Sequence, residues 1–285
     1  MTKNDVVQIL KTLSLSPNKK LGQNFLVDEN NVRRIVDAAV IGPEDRIVEI
    51  GPGLGALTVF LAKAAKELTC IEIDAGYAAY LGNHFAAVPN VRIVHEDFLR
   101  MQEYPPCDAV VSNLPYYCAS EILFTIAQKI APSRICAMMQ KEMAERITAP
   151  AGSDAYGAMT VSLSYYYSPK LLFNVPASAF FPKPDVVSTV ILFNRVDRME
   201  LSRDQIPLFH SLVKSAFWGR RKTIVKALSS SPHMNLDRDL VRGSVEAAGI
   251  PAEARGETLT LDDYIRLTKQ IYSRTGTDAF SAKPD

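Results

Sequence analysis

The stretch Arg46-Ile47-Val48-Glu49-Ile50-Gly51-Pro52-Gly53-Leu54-Gly55, running on into Ala56-Leu57-Thr58-Val59-Phe60-Leu61, decides the fold. Its first five residues are a short, mostly apolar run with branched side chains, as in a buried strand, and the residues after Gly55 have helical composition. Glycines at a strand-to-helix turn let a backbone approach a ligand closely, and an open parallel sheet binds ligands at the carboxyl ends of its strands.

Upstream, Asp28 to Ile41 sets Val32, Ile35, Val36 and Ala39 at helical spacing behind Asp28 as a cap, and ends at Gly42-Pro43. Downstream, LTCIEI (68–73), VRIVHE (91–96), CDAVVS (107–112) and RICAMM (134–139) alternate with helix-length segments. The pattern predicts βα units and a mainly parallel sheet, an α/β Rossmann-like class. APAGSDAYGA (149–158) reads as a mobile loop. MTVSLSYYY (159–167) and VVSTVILFN (186–194), around FFPKPD, predict an antiparallel pair that finishes the sheet. From Arg203 onward the spacing is helical, so a domain boundary is expected near Asp197 to Ser202, with residues 1–200 in one domain and 201–285 in a smaller helical one.

Composition agrees with a globular chain. Of 285 residues, 47% are hydrophobic and 22% charged, which excludes disorder, a collagen-like repeat and a coiled-coil rod. No run approaches the ~18–20 apolar residues of a membrane span, and MTKNDVVQILKTLS lacks the apolar stretch of a signal peptide, so a cytoplasmic protein without membrane contact is expected. Cys70, Cys107, Cys118 and Cys136 form no CxxC pair, and His84, His95, His210 and His233 show no ligand spacing. No metal and no disulfide framework are expected. Net charge is +1; residues 203–285 carry 13 Lys/Arg against 10 Asp/Glu, so local clusters must carry any nucleic-acid argument.

Glu72 stands at the end of the second strand, well placed to accept hydrogen bonds from two ribose hydroxyls. A dinucleotide fingerprint needs two residues between the second and third glycines, and here Leu54 stands alone. Glu49 also puts an acid at the entrance of the turn, where a pyrophosphate would be repelled. S-adenosylmethionine has a ribose, no phosphate and a cationic sulfonium, and satisfies all three observations. Asp97, at the end of the third strand, could receive its adenine amino group; taken alone it is equally a helix cap.

After the fourth strand comes Ser112-Asn113-Leu114-Pro115-Tyr116-Tyr117. A nucleobase amino group is a poor nucleophile because its lone pair is delocalised into the ring. Acceptors at the Asn113 side-chain oxygen and the Leu114 carbonyl would take its two N–H bonds and aim the lone pair at a methyl donor. Pro115 would fix the backbone, and Tyr116 would offer a ring on which an extruded base stacks.

GPGLGALT (51–58), EID (72–74) and NLPY (113–116) combine with KKLGQNFL (19–26), QKEMAERITA (140–149), YGAMTVSLSYYY (156–167), FFPKPDVVSTV (180–190) and AFWGRRKTIVKAL (216–228). Together they resemble the rRNA adenine N6,N6-dimethyltransferase family over nearly the whole chain. The resemblance implies a class I S-adenosylmethionine-dependent methyltransferase fold of seven strands with a small C-terminal helical domain. It further implies a monomeric enzyme that dimethylates two adjacent adenosines near the 3′ end of small-subunit rRNA in an assembling ribosomal particle. On this resemblance Asn24, Leu26, Gly51, Glu72, Asp97 and Asn113 contact S-adenosylmethionine, Asn113 to Tyr116 grip the target amine, and Phe181 packs the base from the opposite side.

Residues 201–285 would then be the rRNA-binding domain. Lys214, Arg221, Lys222 and Lys226 project within about 140° of one another if the segment is one helix, next to an apolar stripe of Val213, Phe217, Ile224 and Leu228. Gly219 is the position where such a helix would break. Rival readings are a large-subunit rRNA adenine methyltransferase of the same chemistry, a non-catalytic assembly or transcription factor on the same scaffold, and a DNA adenine methyltransferase.

Overall fold

The computed structural model describes residues 1–18 and 22–276; Lys19, Lys20 and Leu21, which open the KKLGQNFL segment, lie outside the described residues. In chain order the elements are α1 (Lys3–Thr12), β1 (Phe25–Leu26), α2 (Glu29–Ala38), β2 (Arg46–Ile50), α3 (Thr58–Ala64), β3 (Glu67–Glu72), α4 (Ala75–His84) and β4 (Val91–His95). There follow β5 (Ala109–Asn113), α5 (Ala119–Thr125), β6 (Arg134–Gln140), α6 (Lys141–Ile147), α7 (Ala158–Ser164), β7 (Tyr167–Val175), β8 (Phe180–Phe181) and β9 (Ser188–Arg195). The chain closes with α8 (Ile206–Trp218), α9 (Ile224–Ser229), α10 (Arg238–Ala247) and α11 (Leu261–Thr275).

Seven strands form one sheet in the order β4-β3-β2-β5-β6-β9-β7. β2 pairs in parallel with β3 on one side and β5 on the other, with Val48 facing both Thr69 and Val110. The chain runs outward through β3 and β4, then returns to the far side of β2 as β5. That reversal leaves a crevice at the carboxyl ends of β2 and β5, the place where such sheets bind ligands. The central strands are apolar on both faces because helices cover both: Ile47, Val48, Val110 and Val111 are all fully buried. α2 starts where Asp28 accepts a hydrogen bond from the Asn31 amide (3.1 Å), and Val32 and Ile35 form its buried stripe.

The sheet does finish with antiparallel strands, β6 with β9 and β9 with β7. The partner of β9 is not MTVSLSYYY, however. Most of that run is helix α7, whose Thr160, Val161, Ser162 and Leu163 are consecutively buried, so neither a period of two nor of 3.6 is visible in it. Strand β7 is instead YSPKLLFNV, and it tolerates Pro169 because it lies at the sheet's edge. A second, two-stranded sheet pairs Phe25 with Phe181 and Leu26 with Phe180.

The chain divides into two compact units, residues 1–144 with 167–195, and residues 145–166 with 196–285. A single boundary near Asp197 to Ser202 was therefore too simple: the chain enters the second unit at 145, leaves it, and comes back at 196. The presumed mobile loop is anchored within that unit. Gly152 N–H donates to the Glu257 carbonyl (2.8 Å), and buried Tyr156 donates its hydroxyl to the Leu259 carbonyl (2.8 Å). The unit's own core gathers Leu208, Leu212 and Val213 of α8, Ile224 and Leu228 of α9, Val241 and Val245 of α10, and Tyr264 and Ile271 of α11. α8 and α9 are separate helices, because the chain turns at Gly219. A Cβ there would stand 3.0 Å from that of Ala227, so a larger residue would have to push α9 away by a few tenths of an ångström.

In this unit His210 stacks on Tyr166, and its Nε2 lies 2.8 Å from the Tyr166 hydroxyl. Burial holds its pKa down at about 4. An imidazole kept neutral in the fold, but protonated below ~6.5 when unfolded, stabilises above that pH and stops doing so as the pH falls through 4. Urea unfolding across pH 7 to 4 should therefore show the wild type losing up to about 3 kcal/mol relative to His210→Gln, which cannot titrate. Parallel pH profiles for the two proteins would refute the assignment.

Candidate functional site

The turn after β2 builds the site. Gly51 donates its N–H to the Ile71 carbonyl (2.9 Å), extending the β2–β3 ladder, and then takes φ +65°. A Cβ at Gly51 would meet nothing within 4 Å, so this left-handed residue opens onto free space rather than onto the core. Two residues on, Gly53 donates its N–H to Glu72 Oε2 (2.9 Å), while Asp74 donates to Glu72 Oε1 (2.9 Å). Glu72 is only 4% exposed. Burial raises its pKa, and the Asp74 and Gly53 amides oppose that rise. A carboxylate offers about four lone-pair sites; two are used, which leaves a fixed acceptor pair that suits a vicinal diol.

The cleft above this turn is lined by Asn24, Leu26, Gly51, Glu72 and the segment Asn113 to Tyr117, among others. It adjoins a second pocket that contains Asp97 and shares Gly51, Ile73, Pro115 and Tyr117 with the first. Gly51, Glu72, Asp97 and Asn113 thus stand at the carboxyl ends of four adjacent strands. Asp97 is at once a cap and a lining residue: it accepts from the Leu99 amide (3.0 Å), and Arg100 pairs with its other oxygen (3.3 Å).

Glu49 does not stand where its place in the sequence suggests. It does not guard the mouth of the turn but lies beneath it, 2% exposed, accepting from the Thr58 hydroxyl (2.7 Å) and the Cys70 thiol (3.6 Å). Burial pushes its pKa up to about 7. Its repulsion of a phosphate therefore depends on pH, and the sequence argument for a cationic ligand is correspondingly weaker at that residue.

Across the cleft, Asn113 ends β5 and donates Nδ2 to the Asn24 carbonyl (3.3 Å). That bond orients the amide and leaves Oδ1 as an acceptor. Leu114, fully buried, donates its N–H to the Met138 carbonyl (3.0 Å), and among the described residues no donor reaches its own carbonyl. The Tyr116 hydroxyl lies 2.7 Å from Ser188 Oγ, a fully buried group at the start of β9. Ser188 is missing from the sequence-based set; a lone buried hydroxyl opening the apolar run STVILF was its only signal. Phe181 does not line the cleft. It pairs with Phe25, which does, and the Lys3 ammonium lies 5.4 Å from its ring centroid.

The basic residues are not on one helical face. Lys214 is on α8, Arg221 and Lys222 are in the turn after it, and Lys226 is on α9. Lys214, Arg221 and Lys226 are exposed, whereas Lys222 is half-buried and donates to Ser230 Oγ (3.1 Å). Neighbouring Arg220 pairs with Glu257 (2.7 Å). Among the described residues no group of His, Cys, Asp or Glu is arranged to hold a metal, and no helix is long and apolar enough to cross a membrane.

Comparison with known proteins gives a consistent result. A family model described as ribosomal RNA adenine dimethylase matches residues 15–270. The ribosomal RNA small subunit methyltransferase A of Alkaliphilus metalliredigens is 39% identical, over 90% of this chain and 92% of that protein. The protein of the same name from Geobacillus thermodenitrificans is 35% identical, over 93% and 94%. Among solved structures, the 23S rRNA methyltransferase ErmE matches with TM-score 0.68 and 27% identity over 87% of this chain and 99% of that one. A dimethyladenosine transferase from Plasmodium falciparum shares the fold, with TM-score 0.76 and 23% identity over 88% and 98%.

A buried acid with a raised pKa stabilises below its unfolded value of about 4.5 and ceases to do so as the pH climbs through 7. Replacing Glu49 with Gln should remove that slope. Between pH 5 and 8, wild-type stability should fall relative to Glu49→Gln by about 3 kcal/mol, read by chemical unfolding. A constant difference over that range would show that Glu49 does not titrate near neutrality.

Proposed function

Because this chain belongs to the ribosomal RNA adenine dimethylase family, we propose that it dimethylates the N6 amino groups of two adjacent adenosines near the 3′ end of small-subunit rRNA, as a monomer acting on an assembling ribosomal particle. The observation that carries this reading is one cleft that joins a half-satisfied carboxylate on β3 to two free acceptors at the end of β5. The small-subunit substrate is favoured over the large-subunit one by the higher identity to the small-subunit enzymes, 35–39% against 27%.

The cleft suits S-adenosylmethionine. Glu72 retains lone pairs for the ribose diol, the backbone at Gly51 is open, and the acids of the floor, Glu49 and Glu72, complement a positive charge. Asn24 and Leu26 would wall the cofactor, and Asp97 would take its adenine in the adjoining pocket. When bound, the cofactor supplies a methyl group activated by its sulfonium centre.

The chain's residues prepare the amine. Asn113 Oδ1 and the Leu114 carbonyl accept its two N–H bonds, which draws the lone pair out of conjugation and directs it along one line. Both acceptors are held before the base arrives, Asn113 through Asn24 and Leu114 through Met138, so little reorganisation is needed. Tyr116 stacks on the base while its hydroxyl stays tied to Ser188. Phe181 stands behind Phe25, which lines the cleft, so it would support the base only through that ring. Neither acceptor titrates; taking the methyl leaves the nitrogen cationic, and that N-methylated cation is acidic enough to lose its proton to solvent. The second unit holds rRNA phosphates through the exposed Lys214 and Arg221, while Lys222 is held by Ser230.

Methyl transfer from labelled cofactor to unmodified small subunits, with nucleoside analysis, tests the reading. Dimethyladenosine is the expected product, and no labelled adenosine would overturn it. Asn113→Ala should lower transfer by about 100-fold or more, whereas Glu72→Ala should act on cofactor affinity, by ~1.5–3 kcal/mol per hydrogen bond lost. Calorimetry separates the two effects. Tyr116→Phe and Ser188→Ala each remove the same hydrogen bond, so both should reduce turnover to a similar degree. The double variant should be no worse than either single one; additive losses would show that Ser188 does not act through Tyr116.

A further inference from the structure

Trp218 is the chain's only tryptophan. It ends α8 and is 50% exposed, unusual for so large an apolar ring. Phe217 beside it stacks on Tyr264, with centroids 6.4 Å apart, but among the described residues no aromatic ring packs on Trp218. What touches it is a cation: Lys222 Nζ lies 4.4 Å from the indole centroid. The turn at Gly219 sets this up. Lys222 N–H donates to the Gly219 carbonyl (2.7 Å), the lysine stem passes where a Cβ on residue 219 would stand 3.3 Å from Lys222 Cδ, and Ser230 Oγ fixes the ammonium at 3.1 Å.

One ammonium covers at most one face of an indole, so much of the ring remains open to solvent. Lys214, Arg220, Arg221, Lys222 and Lys226, on α8, α9 and the turn between them, are all cations. Lys214 lies one helical turn before Trp218 on the same face of α8, Arg221 is exposed in the turn, and the nearby acid Glu257 is engaged by Arg220. A half-open aromatic plane flanked by unneutralised cations matches the chemistry of an unpaired nucleotide, whose base has a π-face and whose phosphates are anionic.

We propose that Trp218 is a stacking platform for an unpaired rRNA base, braced by Lys222 and flanked by phosphate contacts from Lys214 and Arg221. The proposal rests on the rRNA-methyltransferase reading but concerns a residue outside the methyl-transfer cleft. Because stacking displaces no counterions, its loss should weaken binding without changing the salt slope, whereas loss of a phosphate contact should flatten that slope.

The single tryptophan makes the test direct, since RNA contributes no competing emission. The full chain is titrated with single-stranded polyadenylate and, for charge without bases, with inorganic polyphosphate, while Trp218 fluorescence is followed. Quenching by polyadenylate and not by polyphosphate is expected. Trp218→Ala should weaken polyadenylate binding by about 5- to 150-fold, the equivalent of ~1–3 kcal/mol for one stacked base, at an unchanged salt slope, and Trp218→Phe should restore most of it. Equal responses to both polymers, or full affinity in a folded Trp218→Ala protein, would overturn the platform while leaving the enzymatic reading intact; binding without any change in emission would assign the ring to another partner. If the wild-type protein neither bound RNA nor methylated small subunits, the underlying reading would fail as well.

Discussion

Parallel pairing of β2 along both its edges is the constraint on which the rest of the structure depends. A parallel neighbour must be reached by a crossover: β3 follows β2 on one side, and after β4 the chain crosses back to place β5 on the other, so the connections that follow β2 and β5 run to opposite sides. The loops after β2 and β5 therefore diverge and leave a crevice between them. Gly51 and Asn113 stand on its two lips because each follows, or ends, the strand on its side. Gly51, Glu72 and Asn113 reach the cleft from strand ends, and Asn24 and Leu26 reach it from the segment around β1.

That geometry explains why the site was more legible in the sequence than the fold around it. Gly51, Glu72, Asp97 and Asn113 each sit at the end of an apolar run bounded by punctuation, and strand ends are what such runs reveal best. Asn24 and Leu26 belong to a stretch that only the family resemblance marked, and Ser188 escaped because a lone serine inside VVSTV carries no chemistry until Tyr116 is placed against it. The errors arise where burial or tertiary contacts override the local pattern. MTVSLSYYY is buried on most sides, which erases the period that separates helix from strand. Residues 145–166 join the second unit through pairings such as Gly152 with Glu257 and Tyr156 with Leu259, over more than 100 positions, and no local pattern encodes those. The basic stripe failed at Gly219, where packing against Ala227 rather than helix propensity decides the path.

The two buried acids beneath the cleft are treated differently by their surroundings, and this difference has consequences for the ligand. Glu72 receives two backbone N–H bonds, which favour its ionised form against the cost of burial. Glu49 receives only a hydroxyl and a thiol, weaker donors, and the neighbouring Glu72 adds repulsion that raises its pKa further. The pair therefore resolves the crowding of like charges by letting Glu49 keep a proton near neutrality. A cation in the cleft lowers the cost of ionising Glu49, whereas a neutral molecule of the same shape does not. Methyl transfer converts a sulfonium into a thioether, that is, a cation into its neutral counterpart. Two acids beneath one cleft therefore complement a positively charged ligand better than a neutral one of the same shape, while the contacts of Glu72 and Asn113 serve both alike.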